Sequence, residues 1–297
     1  MENFKQLALI GPTASGKTAL SIKMAKQMNA HILSLDSLSI YKEIDIVSAK
    51  PTVEERENIH HFGINYLYPN ESFDVTTFIK LYHEVYDRCL DEGKNLVIVG
   101  GTSFYLKMLI EGISELPTMS NKTKRESKIH LLDLEKTYAW LYSLDSEYMS
   151  NIASNDRYRI EKALVIYLET KLTPTQYFLQ FPPTPTITSP LPVYQIVWER
   201  ENLRERISLR TKLMLDDGLI DEICMLEAKY TRLPNCMKSI GIKETLAYLD
   251  GIYDKNMLIE KITTNTARLA KRQTTFNNSQ FENVFKGSVE ELEKVLL

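Results

Sequence analysis

The sequence has few of the features that mark secreted, membrane-bound or strongly basic proteins. Its 297 residues include three cysteines, too few and too scattered for a disulfide framework or a zinc site. They are Cys89, Cys224 and Cys236, and we expect small buried or half-buried packing residues. No apolar run approaches the roughly 18 residues of a membrane span, and the net charge of −3 gives no global basic field. We therefore expect a cytoplasmic protein with no membrane association, no signal peptide and no obligate protein partner.

A glycine loop near the N-terminus is the strongest motif. It consists of Gly11, Pro12, Thr13, Ala14, Ser15, Gly16, Lys17 and Thr18. The loop fits G-x-x-x-x-G-K-[ST] at every fixed position and lies between an apolar run and a helical segment, which argues against a chance match. In such a loop the backbone N–H groups and the helix N-terminus hold a polyphosphate. Lys17 adds a positive charge, and the Thr18 hydroxyl can ligate Mg²⁺.

Short apolar runs alternate with helical segments over the first third of the chain. Residues 7–10, 30–35 and 95–99 have the continuous apolar character of buried parallel strands. A helix is predicted over 75–90, and another follows Gly101. This alternation predicts an α/β fold whose core is a P-loop NTPase-like parallel sheet with helices on both faces.

The composition changes after residue 116. From about 120 to 180 the chain is polar and helical, and five of the eleven prolines lie between 181 and 192, which is typical of a stiff connector. An apolar, strand-like run returns at 193–198. We predict a core of residues 1–116 and 193–297, interrupted by a helical insertion domain of residues 117–192. The helices predicted after the insertion are 201–215, 219–230, 243–250 and 256–275.

Two further strand ends carry polar groups that could act on a ligand of the glycine loop. Asp36 could bind Mg²⁺ through water or act as a general base, although a local turn cap would also explain it. The strand at 95–99 ends in Gly100-Gly101-Thr102 instead of the aspartate that usually holds Mg²⁺ in P-loop NTPases. Thr102 offers a hydroxyl or caps the next helix. The missing aspartate argues against an ATPase motor or a GTPase.

Basic residues form local clusters despite the acidic total. The clusters are Lys122, Lys124, Arg125 and Lys128; Arg157, Arg159 and Lys162; and Arg268, Lys271 and Arg272. Each could be a solvated helix face or a surface for nucleic acid, and Tyr158, inside the second cluster, could stack on a base. Between 199 and 210 four arginines alternate with glutamates, so we expect ion pairs within that helix.

Several motifs occur with the glycine loop in one order along the chain. They are Asp36-Ser37-x-x-x-Tyr41-Lys42-x-x-Asp45-Ile46-x-x-Ala49-Lys50-Pro51, Gly100-Gly101-Thr102-x-x-Tyr105, Asn155-Asp156 with Arg159, Arg206-Ile207-x-x-Arg210 with Met214 and Gly218, Ser239-Ile240-Gly241, and Leu269-Ala270-Lys271-Arg272-Gln273. In this combination the chain closely resembles the tRNA dimethylallyltransferase family over nearly its whole length. The loop alone is generic, whereas the block from Asp36 to Pro51 and the Gly-Gly-Thr turn are specific.

The resemblance implies transfer of a dimethylallyl group from dimethylallyl diphosphate to N6 of the adenosine just 3′ of the anticodon, in tRNAs for codons that begin with U. It implies that the glycine loop holds the diphosphate, with Mg²⁺ at Thr18, and that the insertion grips the anticodon stem-loop. Asp36 matches the family's general base, and Thr102 matches a residue that orients the base or the leaving group. The positions implied to contact tRNA are Asp36, Ser37, Leu38, Ser39, Thr102, Lys124, Tyr158, Arg159, Ile160, Glu161, Lys162, Lys271 and Arg272.

Three other functions fit parts of the pattern. A small-molecule or nucleoside kinase would place ATP on the loop, and an adenylate isopentenyltransferase would use the same donor on free AMP. A non-catalytic RNA-binding module would use only the basic clusters. The insertion favours RNA as acceptor, and the complete set of Lys17, Thr18 and Asp36 favours an enzyme. The chain lacks the family's usual glycine before Ser48 and has Ile242 where a tyrosine is usual.

Overall fold

A six-stranded, entirely parallel sheet is the centre of the α/β part of the protein in the computed structural model, which describes residues 4–297. In chain order the strands are β1 (Gln6–Ile10), β2 (Ala30–Leu35), β3 (His61–Phe62), β4 (Asn95–Gly100), β5 (Val193–Ile196) and β6 (Phe285–Gly287). Their order across the sheet is β3-β2-β4-β1-β5-β6, and each neighbouring pair is parallel. The predicted fold class is confirmed.

The three strands that precede the candidate site residues are neighbours in this sheet. β4 lies between β2 and β1, so that Val99 pairs with Ser34 on one side and with Leu9 on the other. Continuous burial of their apolar side chains on both faces fixes these strands in the core. Because the strands are parallel, their carboxyl ends lie at one edge, which carries the glycine loop, Asp36 and the Gly101-Thr102 turn.

Helices make up most of the rest of the described chain. They are α1 (Lys17–Gln27), α2 (Val75–Asp91), α3 (Ser103–Glu111), α4 (Asn121–His130), α5 (Leu134–Leu144), α6 (Ser146–Met149), α7 (Arg157–Thr170), α8 (Pro174–Gln180), α9 (Arg200–Asp216), α10 (Leu219–Tyr230), α11 (Ile242–Leu249), α12 (Lys255–Gln280) and α13 (Val289–Leu296). The predicted helices are confirmed, but α12 continues five residues beyond the predicted end at 275, to Gln280. The sequence did not predict β3, β6 or α13, which are too short to show a clear period.

The chain divides into two compact units. One consists of the residues up to Lys107 together with Ile187–Leu297, and the other of Met108–Thr186. The second unit contains α4 to α8 and has its own apolar core, which includes Leu141, Met149 and Leu164. It begins and ends earlier than the predicted insertion of 117–192. The reason is that its two ends are joined by the bridge between Ile113 and Thr184 and by the hydrogen bond from Thr186 N–H to the Leu109 carbonyl.

The structure bears on two expectations from composition, one about membrane-spanning segments and one about the three cysteines. Among residues 4–297 no helix is long and apolar enough to cross a membrane. Cys89 and Cys236 are buried free cysteines, as expected. Cys224 is exposed, so the expectation of a buried or half-buried residue is wrong for it.

The close contact between β4 and β2 at Gly100 gives a stability test. A Cβ at Gly100 would lie 2.4 Å from the Leu35 carbonyl oxygen, a backbone atom that cannot turn aside. We expect Gly100→Ala to lower the free energy of unfolding by roughly 1–3 kcal/mol through this overpacking, measured by urea denaturation. Gly93→Asn is the control, because a Cβ at position 93 would meet nothing within 4 Å and asparagine tolerates the left-handed backbone there. Equal urea midpoints for Gly100→Ala and the wild type would contradict this account.

Candidate active site

The glycine loop forms an anion-binding turn at the start of α1. Ala14 and Gly16 have positive φ angles of 63° and 90°, which bend the backbone between β1 and α1. The Lys17 ammonium lies under the loop and donates to the Pro12 carbonyl at 2.6 Å. The loop N-terminal to a helix and the enclosed ammonium are the arrangement that holds phosphate groups in P-loop proteins.

Arg206 on α9 and Trp198, just before this helix, contact the glycine loop. The sequence predicts that Arg206 forms an ion pair within its own helix. Arg206 donates from Nε to the Ala14 carbonyl at 2.8 Å, and its guanidinium lies 4.7 Å from the centre of the Trp198 ring. Trp198 in turn donates from Nε1 to the Ser15 carbonyl at 2.9 Å. The predicted intrahelical pairing is therefore wrong for Arg206, because its guanidinium satisfies a loop carbonyl instead.

Helix α12 contacts the same loop from another direction. Gln273 accepts a hydrogen bond from the Thr13 N–H at 2.9 Å, across 260 residues of sequence. Its amide also packs on the Gly101 turn, where a Cβ would lie 2.5 Å from Gln273 Nε2. Gln273 thus joins two of the three strand ends. The sequence motif at 269–273 included this residue, but only the fold shows what it contacts.

Two cavities open on this edge of the sheet and share part of their walls. The first has a volume of about 430 Å³ and is lined by the glycine loop. The second has a volume of about 550 Å³ and is lined by Ser37, Leu38, Thr102 and Arg272. The residues that line both cavities are Thr13, Asp36, Ser48, Arg210 and Gln273. Groups bound in the two cavities would therefore have the Asp36 carboxylate as a common neighbour.

Asp36 both caps a turn and lines the crevice, the two alternatives that its sequence context suggested. Its Oδ1 accepts from the N–H groups of Leu38 at 2.8 Å and Ser39 at 3.0 Å, which caps the turn after β2. This turn uses Oδ1 only, and the residue also lines both cavities. Thr102 donates its N–H to the Leu35 carbonyl at 3.0 Å, which places it next to Asp36. The turn cap and a role in the crevice are compatible.

Positive charge is concentrated at the glycine loop. Burial, together with the nearby Arg210 guanidinium, lowers the pKa of Lys17 to about 7, although the Asp36 carboxylate opposes the fall. Burial also lowers the pKa of Arg210, which lies 3.4 Å from the Thr13 hydroxyl. The two buried cations repel each other, so a ligand with several negative charges would stabilise both.

A magnesium ion at this site would depend on few protein ligands. Among residues 4–297 no group of three or more His, Cys, Asp or Glu side chains could hold a metal ion. The Thr18 hydroxyl lines the first cavity, together with Asp36. Mg²⁺ usually keeps several waters and binds one or two protein ligands plus phosphate oxygens, so these residues fit an ion that arrives with its diphosphate.

The remaining predicted tRNA contacts are distributed over both units. Lys124 is exposed on α4, and α7 carries Tyr158, Arg159, Ile160, Glu161 and Lys162. Tyr158 is 69% exposed, with the Lys162 ammonium 5.4 Å from its ring centre. Ile160 is fully buried in the core of the helical unit, so a side-chain contact with RNA is wrong for it.

Lys271 and Arg272 on α12 point to different places. Arg272 lines the second cavity, whereas Lys271 lines a separate groove between α9 and α12. Their adjacency in sequence therefore does not place both at the same ligand.

Comparison with known proteins places this arrangement in a family. The family model described as IPP transferase matches residues 39–280. The chain belongs to the IPP transferase family. It is 71% identical to the tRNA dimethylallyltransferase of Sulfurovum sp. over 99% of this chain and 97% of that relative. It is 56% identical to the tRNA dimethylallyltransferase of Sulfurimonas denitrificans over 98% of both chains.

Two solved structures are similar to this chain over most of its length. The tRNA delta(2)-isopentenylpyrophosphate transferase of Staphylococcus epidermidis is 30% identical, with a TM-score of 0.69 over 99% of this chain and 97% of that one. A eukaryotic dimethylallyltransferase, described as acting on tRNA, is 26% identical, with a TM-score of 0.81 over 92% of this chain and 70% of that one. The family resemblance inferred from the motifs is confirmed.

The pKa of Lys17 gives a test of donor binding. With a pKa of about 7 in the free protein, the amine is largely neutral above that pH and must take up a proton when a diphosphate binds. We expect the affinity for an unreactive thiolo analogue of dimethylallyl diphosphate to fall by up to about tenfold per pH unit above neutrality. Calorimetry in two buffers of different ionisation enthalpy measures both the affinity and the proton uptake.

The matched variant for this test is Lys17→Met. It removes the titrating amine, so it should bind the analogue more weakly at neutral pH and show no proton uptake. A wild-type affinity that stays constant up to about pH 9, below the ordinary lysine pKa, would contradict the assignment.

Proposed function

We propose that the protein transfers the dimethylallyl group of dimethylallyl diphosphate to N6 of adenosine 37 in tRNA, just 3′ of the anticodon, in tRNAs for codons that begin with U. The products are N6-(dimethylallyl)adenosine and diphosphate. The tRNA substrate implies that the protein works in the cytoplasm. The membership of the IPP transferase family and the names of its relatives support the reaction type.

The observation that carries this proposal is the pair of cavities that share Asp36 in their walls. The first contains the anion-binding loop and suits the diphosphate of the donor. The second contains Thr102 and the cations Lys238, Arg268 and Arg272, which suits an acceptor that carries phosphates. Two substrates that enter separate cavities and react at their junction require this arrangement.

The donor side of the reaction is the departure of diphosphate. The amine nitrogen of the acceptor attacks C1 of the dimethylallyl group while the bond between C1 and the bridging oxygen breaks. Negative charge then grows on the diphosphate. Lys17, Arg210 and the glycine loop line the first cavity, where they would stabilise that charge as it develops without having to move. Mg²⁺ held by Thr18 would supply further charge neutralisation.

The acceptor side needs an exposed adenine and a base. Adenine 37 must leave the anticodon loop stack, at a cost of about a few kcal/mol. Asp36 accepts the proton that N6 loses, and Thr102 orients the base or the bridging oxygen. The exposed residues of α4 and α7, Lys124 and Tyr158 among them, would hold the anticodon stem-loop through phosphate contacts and stacking.

The geometry argues against a kinase. A P-loop kinase or ATPase commonly uses an aspartate at the end of the strand beside the loop strand. Here that position is Gly100, where any side chain would overlap the Leu35 carbonyl. At the position where a site for Mg²⁺ and a nucleotide needs a carboxylate, this chain therefore has no room for a side chain.

A labelled-donor assay tests the proposal. Purified protein with dimethylallyl diphosphate labelled in its carbon chain should move the label to tRNA, and nuclease digestion should place it on N6 of adenosine 37. AMP should receive no label, and ATP labelled at its γ-phosphate should lose none to a nucleoside. Transfer to AMP alone would show an adenylate isopentenyltransferase, and phosphate transfer from ATP would show a kinase.

The role of Asp36 is tested by Asp36→Asn. The amide oxygen can still accept from the Leu38 and Ser39 N–H groups, so the turn should persist, but the amide cannot take up a proton. We expect kcat to fall by about 10²- to 10⁴-fold with the KM for the donor nearly unchanged. Asp216→Asn, at the exposed end of α9, is the control and should keep full activity. Unchanged turnover in Asp36→Asn would remove Asp36 as the base.

A further inference from the structure

Glu222 on α10 makes an unusual set of contacts for a carboxylate. Only 6% of the Glu222 surface is exposed, and its two carboxylate oxygens accept hydrogen bonds from three backbone N–H groups. Oε2 accepts from Asp45 at 2.8 Å and from Ile46 at 2.7 Å, and Oε1 accepts from Val47 at 3.0 Å. Three consecutive N–H groups of one loop are thus bound to a side chain about 175 residues away in sequence.

Residues of the loop that Glu222 holds, 45–51, line both cavities. Its Ser48 lines both, Val47 lines the second, and Ala49, Lys50 and Pro51 line the first. In the proposed reaction the loop would therefore contact both substrates without containing the base or the anion-binding groups. Its position would then affect how the two substrates face each other.

Other contacts bring the same loop against the helices that follow β5. Gly241 faces Val47 so closely that a Cβ there would lie 2.3 Å from Val47 Cγ2. Lys229, two turns after Glu222 on α10, pairs with Glu43 at 2.7 Å. These contacts fix which side of the loop faces α10 and α11, but only the Glu222 carboxylate binds its backbone at three successive residues.

We propose that Glu222 is a positioning residue for the transfer step: it holds loop 45–51 at the distance that brings the donor carbon to the acceptor nitrogen and keeps water out of the junction. This inference rests on the proposed function. Because the loop lines both cavities, a change in its position should disturb the alignment of the two substrates more than the binding of either one. Loss of alignment should lower kcat and let water compete with the acceptor amine.

The carboxylate cannot be replaced by an amide without consequence. Glutamine at 222 has one oxygen, which can still accept from Asp45 and Ile46. Its NH₂ group would then face the Val47 N–H, and two donors cannot bond. The disturbance would fall at Val47 and Ser48, the part of the loop that lies between the cavities.

The test compares wild type, Glu222→Gln and Glu227→Gln in the labelled-donor assay, and measures both transfer to tRNA and hydrolysis of the donor to dimethylallyl alcohol. We expect Glu222→Gln to lower kcat by about tenfold to hundredfold, because a misplacement of about 1 Å far from the chemistry can have that effect. The KM for each substrate should change little, and the share of donor lost to water should rise several-fold. Glu227, on the same helix, pairs with Arg232 at the surface, so Glu227→Gln should match the wild type.

The outcomes separate this inference from the proposed function. A wild type that transfers no label to tRNA overturns the proposed function itself. A wild type that transfers normally, with Glu222→Gln equal to it in kcat and in hydrolysis, overturns the role of Glu222 alone. A kcat loss that matches a loss of folded protein in urea denaturation, with an unchanged share of hydrolysis, also overturns it.

Glu222→Asp is the second variant in case Glu222→Gln does not fold. It keeps the charge but shortens the side chain by one methylene, so it should bind part of the loop and give values between wild type and Glu222→Gln. Values for Glu222→Asp equal to those of the wild type, in a folded protein, would overturn the requirement for a fixed loop position.

Discussion

The close approach of β4 to β2 at Gly100 is the constraint on which the site depends. Because no side chain lies between Gly100 and Leu35, the two strand ends come together and the Thr102 N–H reaches the Leu35 carbonyl. Asp36 and Thr102, which follow these strands, are therefore neighbours at one corner of the second cavity. A larger residue at 100 would separate the two strand ends, and with them Asp36 and Thr102.

Three side chains from later in the sequence hold the anion-binding loop from outside. Arg206 and Trp198 satisfy carbonyls at Ala14 and Ser15, and Gln273 satisfies the N–H of Thr13. These contacts restrict the loop before any ligand binds. Such a preorganised cation site suits a leaving group, since the charge that develops on diphosphate meets donors that need not move. This accounts for a P-loop in an enzyme that transfers carbon and not phosphate.

The sequence predicted the elements whose signals are local. The glycine loop, the buried strands and the long helices follow from motif and period, and the order of the motifs indicated the family. The partners of the loop could not be predicted in this way. Arg206 lies among glutamates that suggested ion pairs within the helix, and Glu222 lies in an ordinary acidic first turn of a helix. Their roles depend on contacts across about 175 to 190 residues, which no periodicity records. At Ile160 the resemblance implied contact with RNA, but the side chain lies in the core, so a contact there would come from the backbone.

The hydrogen bond between Thr13 and Gln273 joins the loop after the first strand of the chain to α12, one of its last helices. A ribosome that has made two thirds of the protein has already produced the glycine loop, Asp36 and the whole helical unit, but not α12, which supplies Gln273. The glycine loop of the nascent chain therefore lacks one of its contacts until the last part of the chain is made. A chain that ends before α12 would have the loop sequence without the side chain that holds Thr13.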